Sequence, residues 1–148
     1  MSVNLRDPGE KRHKVLVTDD EASIRRSLQL LLHAKGYDPH SYASASALLA
    51  DFGALSADCM IADYQMPDLD GLTLLSAIRA KGWSGSAILL TACRSSDLEA
   101  RAQACGYAQV IQKPFIRRPV LEALSRLCGC EEGGDCAGPA ECIPDCDC

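Results

Sequence analysis

Short apolar runs alternate along the chain with longer segments in which apolar residues recur every three or four positions. The runs predict five strands, and the segments that follow them predict five helices. The strands are predicted over residues 14–17, 40–42, 59–62, 87–90 and 109–112. Such alternation is typical of consecutive strand–helix units.

The predicted helices carry local signals for their packing side and their ends. In the first helix, apolar residues spaced to face one side are Ile24, Leu28, Leu31 and Leu32. The other helices are predicted over about residues 45–51, 72–81, 95–105 and 118–127. Candidate N-caps are Ser44 and either Ser95 or Ser96. Three glycines follow predicted helices, where glycine commonly ends a helix: Gly36, Gly82 and Gly106.

Strand–helix alternation predicts an α/β fold in which helices cover both faces of a mostly parallel sheet. Pro39 lies beside the second strand, and a proline lacks the N–H group that a central strand would donate. The second strand is therefore predicted at an edge, as in the flavodoxin-like, doubly wound five-stranded order 2-1-3-4-5. We expect this domain to span residues 14–127.

Polar residues follow four of the predicted strands. Asp19 and Asp20 come after the first strand, Asp63 after the third, Thr91 after the fourth and Lys113 after the fifth. Open parallel sheets bind ligands beyond the carboxyl ends of their strands, so these side chains are expected to converge. Each residue alone has a plainer interpretation as a cap, a turn residue or a surface charge. Their joint occurrence at four strand ends favours a site.

Crowded carboxylates repel one another, and a divalent cation would relieve that repulsion. The predicted ligands are oxygen atoms without histidine or cysteine, which favours a hard cation such as Mg²⁺. A lysine and a hydroxyl beside such a cation suit phosphoryl transfer, because this reaction depends on positioning and charge neutralisation. Asp63 is then the candidate nucleophile, and the expected product is an aspartyl-phosphate.

Four stretches resemble the signature motifs of response-regulator receiver domains. They are VLVTDDE (15–21), IADYQMPDLDGL (61–72), ILLTA (88–92) and VIQKPF (110–115). The resemblance implies that Asp63 is the phosphoacceptor of a two-component phosphorelay. It also implies that Mg²⁺ is held by Asp19, Asp20, Asp63 and the backbone carbonyl of Gln65, and that Thr91 and Lys113 contact phosphoryl oxygens.

The resemblance implies further features of the switch and its partners. The phosphoryl donor would be a phosphohistidine on a sensor histidine kinase or a histidine phosphotransfer protein. A cis peptide would join Lys113 to Pro114. Many relatives have an aromatic switch residue three positions before the lysine, where this chain has Val110, and Tyr107 lies at the wrong offset to replace it. The expected output surface is the fourth helix, fifth strand and fifth helix, and its protein target is unknown.

Composition and charge bear on nucleic-acid binding, membrane insertion and cellular location. The net charge is −5, but residues 128–148 contain six of the acidic residues and none of the basic ones, so the rest of the chain is nearly neutral. This balance disfavours direct nucleic-acid binding. The apolar runs are too short for membrane insertion, and residues 1–13 lack a signal-peptide core and are expected to be a flexible N-terminus. We therefore expect a cytoplasmic, stand-alone receiver.

Residues 128–148 are a cysteine-rich, acidic tail. Its six cysteines are Cys128, Cys130, Cys136, Cys142, Cys146 and Cys148. Their spacing fits standard zinc sites poorly, and a flexible segment with reduced thiols is favoured. Metal binding or redox sensing is the alternative, whereas structural disulfides are disfavoured in a reducing compartment. Cys59 is interpreted as a small core residue, and Cys93 and Cys105 as packing or surface thiols.

Two other kinds of protein with a similar fold fit the sequence less well than a signalling switch does. A haloacid-dehalogenase-like enzyme would need a D-x-D pair after the first strand, but Asp19 and Asp20 are adjacent. A flavin-binding module would need a phosphate loop there, where this chain has an acidic sequence that repels anions. The alternative that stays open is a degenerate receiver that only binds proteins, with the tail as a metal or redox sensor. We expect a signalling module rather than an enzyme.

Overall fold

A computed structural model describes residues 12–113 and 116–128 of the 148-residue chain. In these two stretches, strands and helices alternate in the predicted order. The elements are β1 (Lys14–Thr18), α1 (Ala22–Ala34), β2 (Asp38–Tyr42), α2 (Ala45–Leu49), β3 (Cys59–Asp63), α3 (Gly71–Ala80), β4 (Ser86–Thr91), α4 (Ser96–Cys105), β5 (Gln109–Gln112) and α5 (Arg117–Leu127). A short 3₁₀ helix, Phe52–Ser56, lies between α2 and β3.

The strands form one parallel sheet in the order β2-β1-β3-β4-β5. This order confirms the predicted flavodoxin-like fold and the edge position of β2. Pro39 lies within β2, opposite Val15, rather than just before the strand. An edge strand has a neighbouring strand on one side only, so it tolerates a residue without an N–H group. The strand consequently begins at Asp38, two residues earlier than predicted.

Alternate residues of each strand are buried on opposite faces of the sheet, as strand geometry requires. One face packs Leu16, Met60 and Leu89 against α3, together with residues of α2 and α4. The other face packs Val17, Ile61, Ile88 and Leu90 against α1 and α5. Each fully buried side chain of this size contributes about 1.5–3 kcal/mol to folding. The two apolar layers therefore fix the central strands, whose ends carry the polar residues.

Hydrogen bonds at the helix ends agree with the predicted caps. The Ser44 hydroxyl accepts a bond from the Ala47 N–H at 3.1 Å, and the Ser95 hydroxyl accepts one from the Leu98 N–H at 3.0 Å. The glycines that end α1, α3 and α4 have φ angles of 92°, 103° and 113°. The second helix is two residues shorter than predicted, because Asp51 accepts a bond from the Gly53 N–H and begins the 3₁₀ helix.

Among the helices of the described stretches, none combines the length and apolar character needed to cross a lipid bilayer.

Candidate functional site

The polar residues predicted at the strand ends are brought together at the carboxyl edge of the sheet. Asp63 is the last residue of β3, and Thr91 is the last residue of β4. Asp19 and Asp20 follow β1 directly, and Lys113 follows β5. The parallel order of the sheet places these strand ends side by side, so residues far apart in sequence share one site.

Three carboxylates form the acidic part of the site. Asp19, Asp20 and Asp63 each offer an oxygen atom, and these atoms all lie within 4.8 Å of one another. Asp19 is fully buried and Asp63 is 5% exposed, whereas Asp20 is exposed. Asp19 is held by the backbone, since its Oδ1 accepts a bond from the Glu21 N–H at 2.9 Å. Arg25 adds a bond of 2.8 Å to the Asp19 carbonyl oxygen.

Lys113 is the cation that lies between the buried carboxylates. Its Nζ is 3.1 Å from Asp19 Oδ2 and 3.2 Å from Asp63 Oδ1. Glu21 Oε1 is 3.7 Å from the same nitrogen. No separate role was predicted for Glu21, although its position directly after the acid pair was a signal that it lies near the site. A single ammonium group therefore faces three acidic side chains.

Burial and neighbouring charges both shift the pKa values of Asp63, Asp19 and Lys113. Burial, followed by the negative charge of Asp19, raises the pKa of Asp63 to about 6, although Lys113 opposes this shift. Burial also raises the pKa of Asp19. For Lys113, burial alone would lower the pKa, but the charges of Asp19 and Asp63 outweigh burial and raise it. The carboxylates are thus under-compensated by the protein's own cation.

The chemistry of the acidic cluster fits a small divalent cation. Asp19 Oδ2 is buried, and among the described residues its partner is the ammonium group of Lys113, which it shares with Asp63. One ammonium group shared by two buried carboxylates leaves negative charge uncompensated, which is costly unless a further cation is bound. The neighbouring donors are also oxygen atoms, which hard cations prefer. These residues therefore fit a site for a small hard cation such as Mg²⁺.

Thr91 lies beside the carboxylates and is tied to its own loop. Its hydroxyl donates to the Cys93 carbonyl oxygen at 3.3 Å and accepts a bond from the Cys93 N–H at 3.2 Å. The Thr91 carbonyl accepts a bond from the Lys113 N–H at 2.8 Å, which links the ends of β4 and β5. If the Thr91 hydroxyl bound a different partner, the loop that precedes α4 would therefore lose hydrogen bonds.

A cleft of about 430 Å³ opens over the site. Its lining residues are Asp20, Glu21, Asp63, Gln65, Met66, Pro67, Thr91, Ala92 and Lys113. Asp19 is buried and does not line the cleft, whereas the exposed Gln65 does. Met66, Pro67 and Ala92 were not predicted as site residues, because their apolar side chains carry no chemical signal in the sequence. The cleft is open to solvent, so a solute or the side chain of a partner can reach Asp63.

Two residues below the cleft fix the start of α3. A side chain at Gly71 would bring its Cβ within 2.7 Å of both the Asp63 carbonyl oxygen and Leu89 Cδ1. The hydroxyl of buried Tyr107 donates to the Gly71 carbonyl at 2.7 Å. Tyr107 therefore holds the start of α3 in place. Val110, at the position where the family resemblance implies an aromatic residue, is half-buried against the apolar layer.

Several sequence predictions lie wholly or partly outside the described residues. One is the cis peptide between Lys113 and Pro114, because Pro114 is not described. The others are the flexible N-terminus and the cysteine-rich tail, which fall on residues 1–11 and 129–148. At the N-terminal boundary, the His13 carbonyl accepts a bond from the Asp38 N–H at 2.9 Å. The described chain is thus anchored one residue before β1 begins.

Comparisons with known proteins agree with this architecture. A family model described as the response regulator receiver domain matches residues 15–125. Transcriptional regulatory protein FixJ of Azorhizobium caulinodans is 31% identical over 115 residues, which cover 78% of this chain and 54% of FixJ. Transcriptional regulatory protein TdiR of Thauera aromatica is 32% identical over 111 residues, covering 75% and 49% of the two chains. This chain therefore spans about half the length of these curated relatives.

Solved structures show the same fold. Chemotaxis protein CheY4 of Vibrio cholerae is 28% identical with a TM-score of 0.74, and the match covers 79% of this chain and 99% of CheY4. Response regulator TrrA of Thermotoga maritima, solved with Mg²⁺ and a beryllium fluoride, is 28% identical with a TM-score of 0.67. That match covers 78% of this chain and 98% of TrrA. The chain belongs to the response regulator receiver domain family, the signalling modules of two-component systems.

Proposed function

We propose that this receiver domain is a switch in which Asp63 accepts a phosphoryl group. The observation that carries the proposal is the convergence of Asp63, Asp20, Thr91 and Lys113 at one open cleft, with Asp19 buried beside them. A carboxylate that is almost buried yet lines a cleft can reach an incoming group without being fully hydrated. The unit that switches would be residues 14–127.

Residues of the acidic cluster would hold Mg²⁺. The proposed ligands are Asp19, Asp20, Asp63 and the backbone carbonyl of Gln65. The three aspartate oxygens within 4.8 Å of one another, with one Lys113 ammonium shared between the two buried ones, support this assignment. When bound, the cation supplies positive charge that the acidic cluster lacks and that a phosphoryl group requires.

In the proposed transfer, an oxygen of Asp63 attacks phosphorus as the bond between phosphorus and the donor histidine nitrogen breaks. The product is an acyl phosphate on Asp63, and the imidazole leaves. Lys113, whose ammonium group is 3.2 Å from Asp63 Oδ1, neutralises charge on the phosphoryl oxygens. The hydroxyl of Thr91 exchanges its contact with Cys93 for a phosphoryl oxygen and thereby moves the loop before α4.

The donor would be a sensor histidine kinase or a histidine phosphotransfer protein. Phosphorylation would then alter the surface formed by α4, β5 and α5, to which a protein target binds. The nearly neutral charge of residues 1–127 argues against direct contact with nucleic acid. A cytoplasmic location stays a prediction, as does the absence of catalytic turnover on a separate substrate.

Phosphorylation can be tested with a small phosphodonor. We expect the full chain, mixed with Mg²⁺ and acetyl phosphate, to gain the mass of one phosphoryl group. The Asp63→Asn variant should gain none, whereas Asp97→Asn, which removes an exposed aspartate of α4, should behave as the wild type. Chelation of Mg²⁺ should abolish labelling. A folded wild-type protein that neither gains mass nor binds beryllofluoride would instead be a degenerate, protein-binding receiver.

A further inference from the structure

Two thiols meet at the end of the sheet opposite to the cleft that Asp63 lines. Cys59 is the first residue of β3 and is fully buried, and Cys128 directly follows α5 and is half-buried. Their sulfur atoms lie 3.0 Å apart, although 69 positions separate them in sequence. The pair lies on the face of the sheet covered by α1 and α5.

The pairing is specific within the described chain. Residues 12–113 and 116–128 contain two other cysteines, Cys93 and Cys105, and neither contacts a sulfur atom there. Cys93 is exposed and Cys105 is half-buried. Accessibility alone therefore does not distinguish Cys128 from Cys105, whereas the adjacent thiol of Cys59 does.

We propose that Cys59 and Cys128 are an oxidation site that forms a reversible intramolecular disulfide in the presence of a hydroperoxide. The Cys128 sulfur, after loss of its proton, attacks one oxygen of hydrogen peroxide, and the O–O bond breaks. Cys128 becomes a sulfenic acid, and the released hydroxide takes up the thiol proton to form water. The Cys59 sulfur then displaces the sulfenic oxygen, which leaves as a second water. The two thiols lose two electrons in total, and the peroxide gains them.

The surroundings of the two thiols explain why Cys128 reacts with the peroxide first and Cys59 second. Contact with the Cys128 sulfur and burial raise the pKa of the Cys59 thiol, so Cys59 stays protonated and unreactive towards solutes. Cys128 is the more accessible partner and therefore meets the oxidant first. Cys59 reacts only with a sulfur already beside it, which suits the part of a resolving thiol.

A disulfide at this position would fasten the end of α5 to the start of β3. Disulfide bonds stabilise a fold chiefly by restricting its unfolded chain, and the long separation of Cys59 and Cys128 increases that effect. The α5 helix belongs to the expected output surface, so oxidation would restrain this surface from the side opposite to Asp63. At about 3.3 Å per strand residue, Cys59 is roughly 13 Å from Asp63 along β3. The reaction of the two thiols therefore needs no phosphoryl group on Asp63.

The test compares the wild-type chain, with all 148 residues, with Cys128→Ser and the control Cys105→Ser. Each protein is treated with hydrogen peroxide, its remaining thiols are blocked with N-ethylmaleimide under denaturing conditions, and the peptides are mapped by tandem mass spectrometry. We expect wild type and Cys105→Ser to lose labelling at Cys59 and to yield a peptide linked from Cys59 to Cys128. Dithiothreitol should restore labelling. In Cys128→Ser, Cys59 should stay labelled.

Two results would overturn the assignment. One is full labelling of Cys59 in peroxide-treated wild type. The other is a bond from Cys59 to one of the later cysteines that persists in Cys128→Ser, which would make Cys128 dispensable. The Asp63→Asn variant should form the disulfide to the same extent as wild type. This arm separates failure of the thiol proposal from failure of the phosphorylation proposal.

Discussion

Replacing Asp63 by asparagine should make the protein more stable at neutral pH when divalent cations are removed. In the folded protein, burial and the charge of Asp19 raise the pKa of Asp63 from 3.8 to about 6. Each unit of such a shift corresponds to about 1.4 kcal/mol, so the ionised carboxylate costs the native state about 3 kcal/mol. Asparagine keeps the shape of the side chain and removes this charge.

The pH dependence follows from the direction of the shift. Between pH values near 3.8 and 6, the folded protein binds more protons at Asp63 than the unfolded chain does. Wild-type stability therefore falls, relative to the variant, as the pH rises through this window, and the deficit persists above it. Below the unfolded pKa, both states are protonated and the deficit disappears.

Urea unfolding in EDTA, followed by circular dichroism, measures this difference. We expect Asp63→Asn to exceed wild type by about 3 kcal/mol near neutral pH and by much less near pH 4. The control Asp97→Asn changes an exposed aspartate and should differ little from wild type. An Asp63→Asn variant no more stable than wild type near neutral pH, or a gain that does not shrink on acidification, would refute the electrostatic reasoning.

Magnesium provides a second readout of the same variant. A cation that binds only the folded state at a concentration of one hundred times its Kd adds about 2.7 kcal/mol to stability. Wild type should gain this stabilisation, and Asp63→Asn should gain less because one ligand oxygen has lost its charge. Equal gains in both proteins would argue against Asp63 as a ligand.

Three further predictions concern other parts of the site and its supports. Lys113→Ala should reduce the rate of Asp63 labelling by acetyl phosphate at least tenfold, measured by intact mass, because the ammonium group beside Asp63 is lost. Gly71→Ala should lower the free energy of unfolding by about 1–3 kcal/mol in urea titrations, since its Cβ would meet the Asp63 carbonyl oxygen; unchanged stability would contradict the close approach. Asp68 accepts bonds from the N–H and hydroxyl of Ser46, which lower the pKa of Asp68 to about 2. The stabilisation that Asp68 supplies is fully present above the pKa of aspartate in the unfolded chain and is lost as the pH falls through about 2. The difference in unfolding free energy between wild type and Asp68→Asn should therefore shrink on acidification.

Much of the fold and the site could be predicted from the sequence, because the signals involved are local. A stripe of apolar residues specifies which side of a helix is buried, and Ser44, Ser95 and the glycines act on the backbone beside them. Pro39 predicted an edge strand through the chemistry of one missing N–H group. The predicted order of the strands was then sufficient to predict that Asp63 and Lys113 lie close together.

Other features were decided only by tertiary packing. The contact of Cys59 with Cys128 and the approach of Gly71 to the Asp63 carbonyl both depend on how a helix seats against the sheet. The nearness of Glu21 to Lys113 depends on the path of a loop. Periodicity and capping act over a few neighbouring residues and leave these distances undetermined. They are fixed when two apolar layers pack at full density and set the positions of all the elements together.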